Sequence, residues 1–92
     1  MPEFSQSMLR LFLHARCRHE HFERPARCGF QTTKNRVLDA VRRKAQVTHH
    51  DMSMAWMGRL MTAETRARIW RALGLDPADY GVTLTHGGQE NA

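Results

Sequence analysis

Thr48 and Thr62 stand fourteen residues apart, with Gly58 between them. A threonine ahead of an apolar-periodic run caps a helix, because its hydroxyl accepts from an orphan backbone N–H. Asp51, three residues after Thr48, can reach back as a variant of the capping box. Gly58 supplies the residue that ends a helix in the left-handed conformation. Two capped starts this close leave room for one short helix and one tight connection. Helices this short are marginal alone and depend on packing an apolar face. The spacing therefore predicts a helix-turn-helix succession inside a small bundle.

The apolar positions agree. Met52, Ala55 and Trp56 form the stripe of the third helix, and Ile69, Trp70 and Leu73 that of the fourth. Gly74 stops the fourth helix, and Pro77 either blocks its continuation or opens a short turn through "PADY". Upstream, "SQSMLRLFLHAR" reads as a first helix with Met8, Leu11, Phe12 and Ala15 inward and Ser5 or Ser7 as cap. "TTKNRVLDAVRRK" reads as a second, capped by Thr32 or Thr33, with Val37, Leu38, Val41 and Ala45 inward.

At 92 residues there is room for one small domain. The expected fold is a mostly α, single-domain bundle of four helices containing the helix-turn-helix. "GVTLT" fits a short C-terminal strand, a wing or an extended tail. The expected domain is 1–84, divided into 1–31 (first helix and a Cys/His-rich connector) and 32–84 (the helix-turn-helix unit). Residues 85–92 are expected to be a flexible tail.

Charge is distributed unevenly. All fourteen Lys and Arg lie between Arg10 and Arg71, against six acids in residues 1–71, a net of +8. Residues 72–92 carry three acids and no base. Twelve of the fourteen bases are Arg, which suits bidentate phosphate and guanine contacts. Two readings fit: a nucleic-acid surface, or a solvated basic face in an Arg-rich composition.

"RVLDAVRRKAQVTHHDMSMAWMG" resembles the opening of many prokaryotic helix-turn-helix and winged-helix regulators. "ETRARIWRALGLDPADY" resembles the last helix of phage-repressor-type domains, with its "ALG-DP" ending. Together they cover about residues 33–80. The first implies that residues 62–73 are a recognition helix, the second that they are a packing helix behind it. The resemblance implies a DNA-binding transcriptional regulator of bacterial, plasmid or phage type, acting on double-stranded DNA as a homodimer.

On that reading Thr65, Arg66, Arg68 and Arg71 are the candidates for reading the groove. Arg36, Arg42, Arg43, Lys44 and Arg59 are candidates for anchoring phosphates. At about 100° per residue, Arg71 lies about 60° from Arg68, while Arg66 points elsewhere. The alternative class is a small protein-binding inhibitor or adaptor, docking through its basic face or through "MSMAWMGRLM". That stretch holds four methionines and a tryptophan in ten residues. Such a stripe also serves as core or dimer face. His49 and His50 sit near a cap and read as solvent-facing. There is no glycine-rich phosphate loop, paired-carboxylate motif or serine elbow, so an enzyme is not expected.

"CRHEHFERPARC" holds both cysteines. Cys17, His19, His21 and Cys28 form a Cys2His2 set for structural zinc, although C-x-H-x-H-x6-C departs from the usual spacing. An extended backbone would turn Cys17, His19 and His21 to one side. A loop with free thiols and a Cys17–Cys28 disulfide are the other readings. No run is long enough to span a membrane, and the N-terminal stretch lacks the order of a signal peptide. A cytoplasmic, reducing location is the expectation, and it disfavours the disulfide.

Overall fold

The computed structural model describes residues 2–82. Four helices follow one another: α1 (Pro2–Glu23), α2 (Phe30–Ala45), α3 (His49–Met57) and α4 (Ala63–Ala72), and then a short 3-10 turn over Pro77–Tyr80. Among the described residues no strand occurs, and the expected bundle of four helices is what forms. The weakly alternating "GVTLT" and the tail 85–92 lie outside the described residues, except Gly81 and Val82.

The caps in the second half fall where the threonines predict them. Thr48 accepts from the Asp51 N–H at 3.0 Å, and Asp51 accepts from the Thr48 N–H at 3.0 Å, a complete capping box. Gly58 then closes α3 at φ 74°. Thr62 accepts from the Thr65 N–H and opens α4. Asp76 caps the final turn, and Pro77 occupies its first position, where a missing N–H costs nothing.

The first half departs from expectation at three points. α1 does not stop at Arg16 but runs through the Cys/His stretch to Glu23. No glycine or proline lies between Pro2 and Pro25, and Glu20 pairs with Arg24 at 3.0 Å across one turn. The buried stripe of α1 is Ser5, Leu9, Leu13 and Cys17, one residue round from the expected one; Leu11 is 54% exposed, and Ala15 is also on the surface. α2 starts at Phe30 from Gly29, at φ 99°, with no side-chain cap. Thr33 is buried within α2 instead of capping it, 2.9 Å from His21 Nδ1.

α1 is the spine. It packs against α2, α3, α4 and the final turn. Leu9, Leu13, Val41, Ala45, Met52, Ala55, Ile69 and Trp70 form one core. Phe12, Trp70 and Tyr80 close one side of it. Phe12 meets both other rings edge-on at 5.3 and 5.1 Å, while Trp70 and Tyr80 stack at 4.2 Å. α3 and α4 rest mainly on α1 and α2 rather than on each other.

Candidate nucleic-acid interface and the groove beside it

α4 is deeply set. Arg66, Ala67, Ile69, Trp70 and Ala72 are all buried. Arg66 is 5% exposed, and its guanidinium donates to the Met61 carbonyl. This guanidinium fastens the α3–α4 connection and faces no groove. Thr65 is half-buried and engaged with Thr62. What α4 offers to solvent is an edge made of Glu64, Arg68 and Arg71.

That edge meets the end of α2. Lys44, Arg68 and Arg71 line one shallow concavity of about 250 Å³, floored by Ala45 and Ala72. Arg68 donates to the Gln46 carbonyl at 3.3 Å and to Glu64 at 3.3 Å. These contacts extend its side chain between the two helices. The cations of the last turn of α2 also sit well against the negative end of the helix dipole.

The remaining sequence candidates are dispersed. Arg42 and Arg43 both grip Asp39, at 3.1 and 3.0 Å. Arg36 lies toward α1, 3.7 Å from Glu20 and bonded to the Arg24 carbonyl. Arg59 is exposed in the α3–α4 connection. Three of the nine candidates thus share one concavity, and Arg66 is withdrawn from the surface.

The four residues proposed for zinc do not converge. On a helix, His19 points about 200° away from Cys17. Cys17 is fully buried, His19 is exposed, His21 bonds Thr33 and packs on the edge of Phe30, and Cys28 is exposed beyond the helix end. Among the described residues, no group of three or more His, Cys, Asp or Glu side chains is placed to hold a metal ion. The helical backbone replaces the extended one that the ligand set required. Both cysteines are free thiols. Burial pushes the Cys17 thiol up to about 11, against a smaller opposite pull from Lys34 and Arg16.

A second concavity, larger than the first, lies between α2 and α3. It measures about 550 Å³. Leu38, Met52, Trp56 and Met57 supply its apolar surface, while Lys34, Arg42 and His49 stand among its polar residues. Trp56 is fixed by His14 of α1, whose ring stacks on it at 3.5 Å, and Lys34 Nζ lies 4.8 Å from the indole centroid. The methionine-rich stretch pointed to half of this groove. Lys34 and the α2 half were missed, though Lys34, Leu38 and Arg42 recur every four residues and so share a helix face.

Among the described residues no helix is long and apolar enough to cross a membrane. Comparison with family models, with curated proteins and with solved structures finds no match for this chain.

Proposed function

We propose that this chain is a small DNA-binding regulator that grips duplex DNA along the edge shared by α2 and α4. The observation that carries the reading is the convergence of Lys44, Arg68 and Arg71, from two helices, on one concavity. Lys44 acts there as a point charge, and the two arginines offer planar forks that match phosphate oxygens. Arg68 can exchange Glu64 for a phosphate at little cost, because an exposed ion pair is worth only about 0–1 kcal/mol. Arg71 and Arg68 are the side chains of α4 able to approach base edges. On this edge one copy presents three cations, so a homodimer binding two half-sites suits the role.

The test is fluorescence anisotropy with a duplex at graded salt. Phosphate contact gives a linear fall of log K with log salt, with a slope of about −0.9 per phosphate neutralised. Lys44→Glu with Arg71→Glu flattens that slope, and Arg36→Glu leaves it nearly unchanged. Absence of duplex binding at low salt ends the reading.

One observation favours a second reading, a protein-binding adaptor. Apolar surface is left open in the α2–α3 groove, where duplex DNA has little to offer it.

A further inference from the structure

The α2–α3 groove is mainly apolar with cations at its rim, and the two features select the same kind of occupant. Its floor is Met52, 4% exposed. Leu38 and Trp56 rise half-buried on either side, and Met57 remains 52% exposed at the rim. Open apolar surface ringed by polar residues is characteristic of protein-binding sites. Methionine side chains adapt to the anchor they receive.

Charge narrows the choice. The one acid lining the groove is Asp39, and Arg42 and Arg43 already neutralise it. Among the described residues, Lys34 and His49 have no carboxylate partner. The rim field is therefore positive. A basic peptide would meet repulsion at Lys34, and an uncharged one would leave it with the Trp56 ring and no carboxylate.

We propose that this groove docks an acidic amphipathic helix of a protein partner. The partner's apolar face would lie against Leu38, Met52, Trp56 and Met57, and its flanking carboxylates would reach Lys34. A helix suits a trough bounded by two helices, where side chains spaced at i, i+3/i+4 and i+7 enter in a row. Its acidic flanks set orientation and on-rate more than raw affinity. The proposal deepens the adaptor reading and stands independently of DNA binding.

The experiment uses the full chain and three synthetic peptides without tryptophan. One is helical and glutamate-rich, with leucine and phenylalanine on one face. One keeps that face but replaces glutamate with lysine. One is the first peptide scrambled. Binding is followed by calorimetry and by the emission of Trp56, with Trp56→Phe as the control for the signal. The acidic helix is expected to bind at least about tenfold more tightly than either other peptide. Lys34→Glu is expected to weaken the acidic peptide and strengthen the basic one, a reciprocal change that misfolding would not give. Ser53→Trp, an exposed position that fills the groove, is expected to abolish both. Equal affinity for the acidic and basic peptides overturns the proposal. So does acidic binding that survives Lys34→Glu and Ser53→Trp but is lost in Lys44→Glu/Arg71→Glu, although that outcome keeps a protein partner at the other surface. Failure of every peptide removes the groove proposal and leaves the adaptor reading only the α2–α4 edge.

Discussion

The imidazole of His14 lies nearly parallel to the indole of Trp56, 3.5 Å between centroids and 13° between planes, and its Nε2 is 3.2 Å from the Trp56 carbonyl. One residue of α1 thus grips the ring and the backbone of α3. α3 has nine residues, too few to be stable in isolation. His14→Ala is expected to destabilise the fold by about 1–3 kcal/mol, from the stack and the hydrogen bond together. Urea denaturation measures this. The Trp56 emission should shift as the ring becomes free. An unchanged midpoint would mean that α3 is held without His14, by the buried Met52 and Ala55 and its other contacts.

The capping threonines allow a cleaner comparison. Thr48 belongs to a reciprocal box with Asp51, whereas Thr62 accepts from one backbone N–H. Alanine at either position is expected to cost about 1 kcal/mol, and Thr48→Ala more than Thr62→Ala. Thermal melts of the two variants, ranked against the parent, check the order.

These caps also explain how much of the fold the sequence reveals. Thr48 and Thr62 act through hydroxyls on backbone N–H groups three residues away, and Gly58, Gly74 and Pro77 through their own backbone, so these local positions place α3, α4 and the final turn. α1 was harder because its apolar residues are crowded. Met8, Leu9, Leu11, Phe12 and Leu13 cover most of a turn, and packing against α2, α3, α4 and the final turn decided that Leu9 and Leu13 face inward. The Cys/His stretch misled because residue type suggested ligands while local propensity continued the helix. Arg66 misled because an arginine can be buried when a carbonyl such as that of Met61 receives it. The groove was half legible, since its two walls are faces of helices that no local pattern pairs.

The two cysteines should differ sharply in reactivity. The thiolate is the reactive form, and Cys17 is both buried and held protonated, its thiol raised from 9.0 to about 11. Cys28 is exposed. A thiol reagent at neutral pH is expected to titrate one cysteine rapidly in the native protein and both in denaturant. The same shift makes stability fall with alkalinity. The unfolded chain loses the Cys17 proton near pH 9 while the folded chain keeps it to about 11, so the stabilisation is intact below 9 and declines between those values. Cys17→Ala should flatten the decline in that window. Rapid modification of both thiols in the folded state would place Cys17 outside the core.

Arg66 and Arg71 are one helical turn and a fraction apart on α4, yet they should respond to substitution in opposite ways. Arg66→Ala removes a buried guanidinium and strands the Met61 carbonyl, a change expected to cost about 1–3 kcal/mol of stability. Arg71→Ala changes an exposed side chain, so stability should move by no more than about 0.5 kcal/mol. Duplex affinity should fall for Arg71→Ala. Denaturation curves and anisotropy titrations on the two variants give the crossed pattern. If Arg71→Ala leaves affinity untouched, the edge of α4 is not the DNA-facing surface.

The two surfaces flank the same buried stripe of α2. At about 100° per residue, Leu38 lies about 60° to one side of Val41, toward α3, and Lys44 about 60° to the other, toward α4. Val41 itself is in the core between them. A helix seated in the groove therefore leaves Lys44, Arg68 and Arg71 uncovered, and its charge acts on them only across a distance that salt screens. Duplex affinity measured with the acidic peptide at saturation is expected to stay within about threefold of its value without peptide, and closer as ionic strength rises. The check is an anisotropy titration of labelled duplex at two salt concentrations, with and without peptide. Displacement of the duplex by the peptide at both salts would show that acid and phosphate compete for one cationic site, and the assignment of two separate faces would fail.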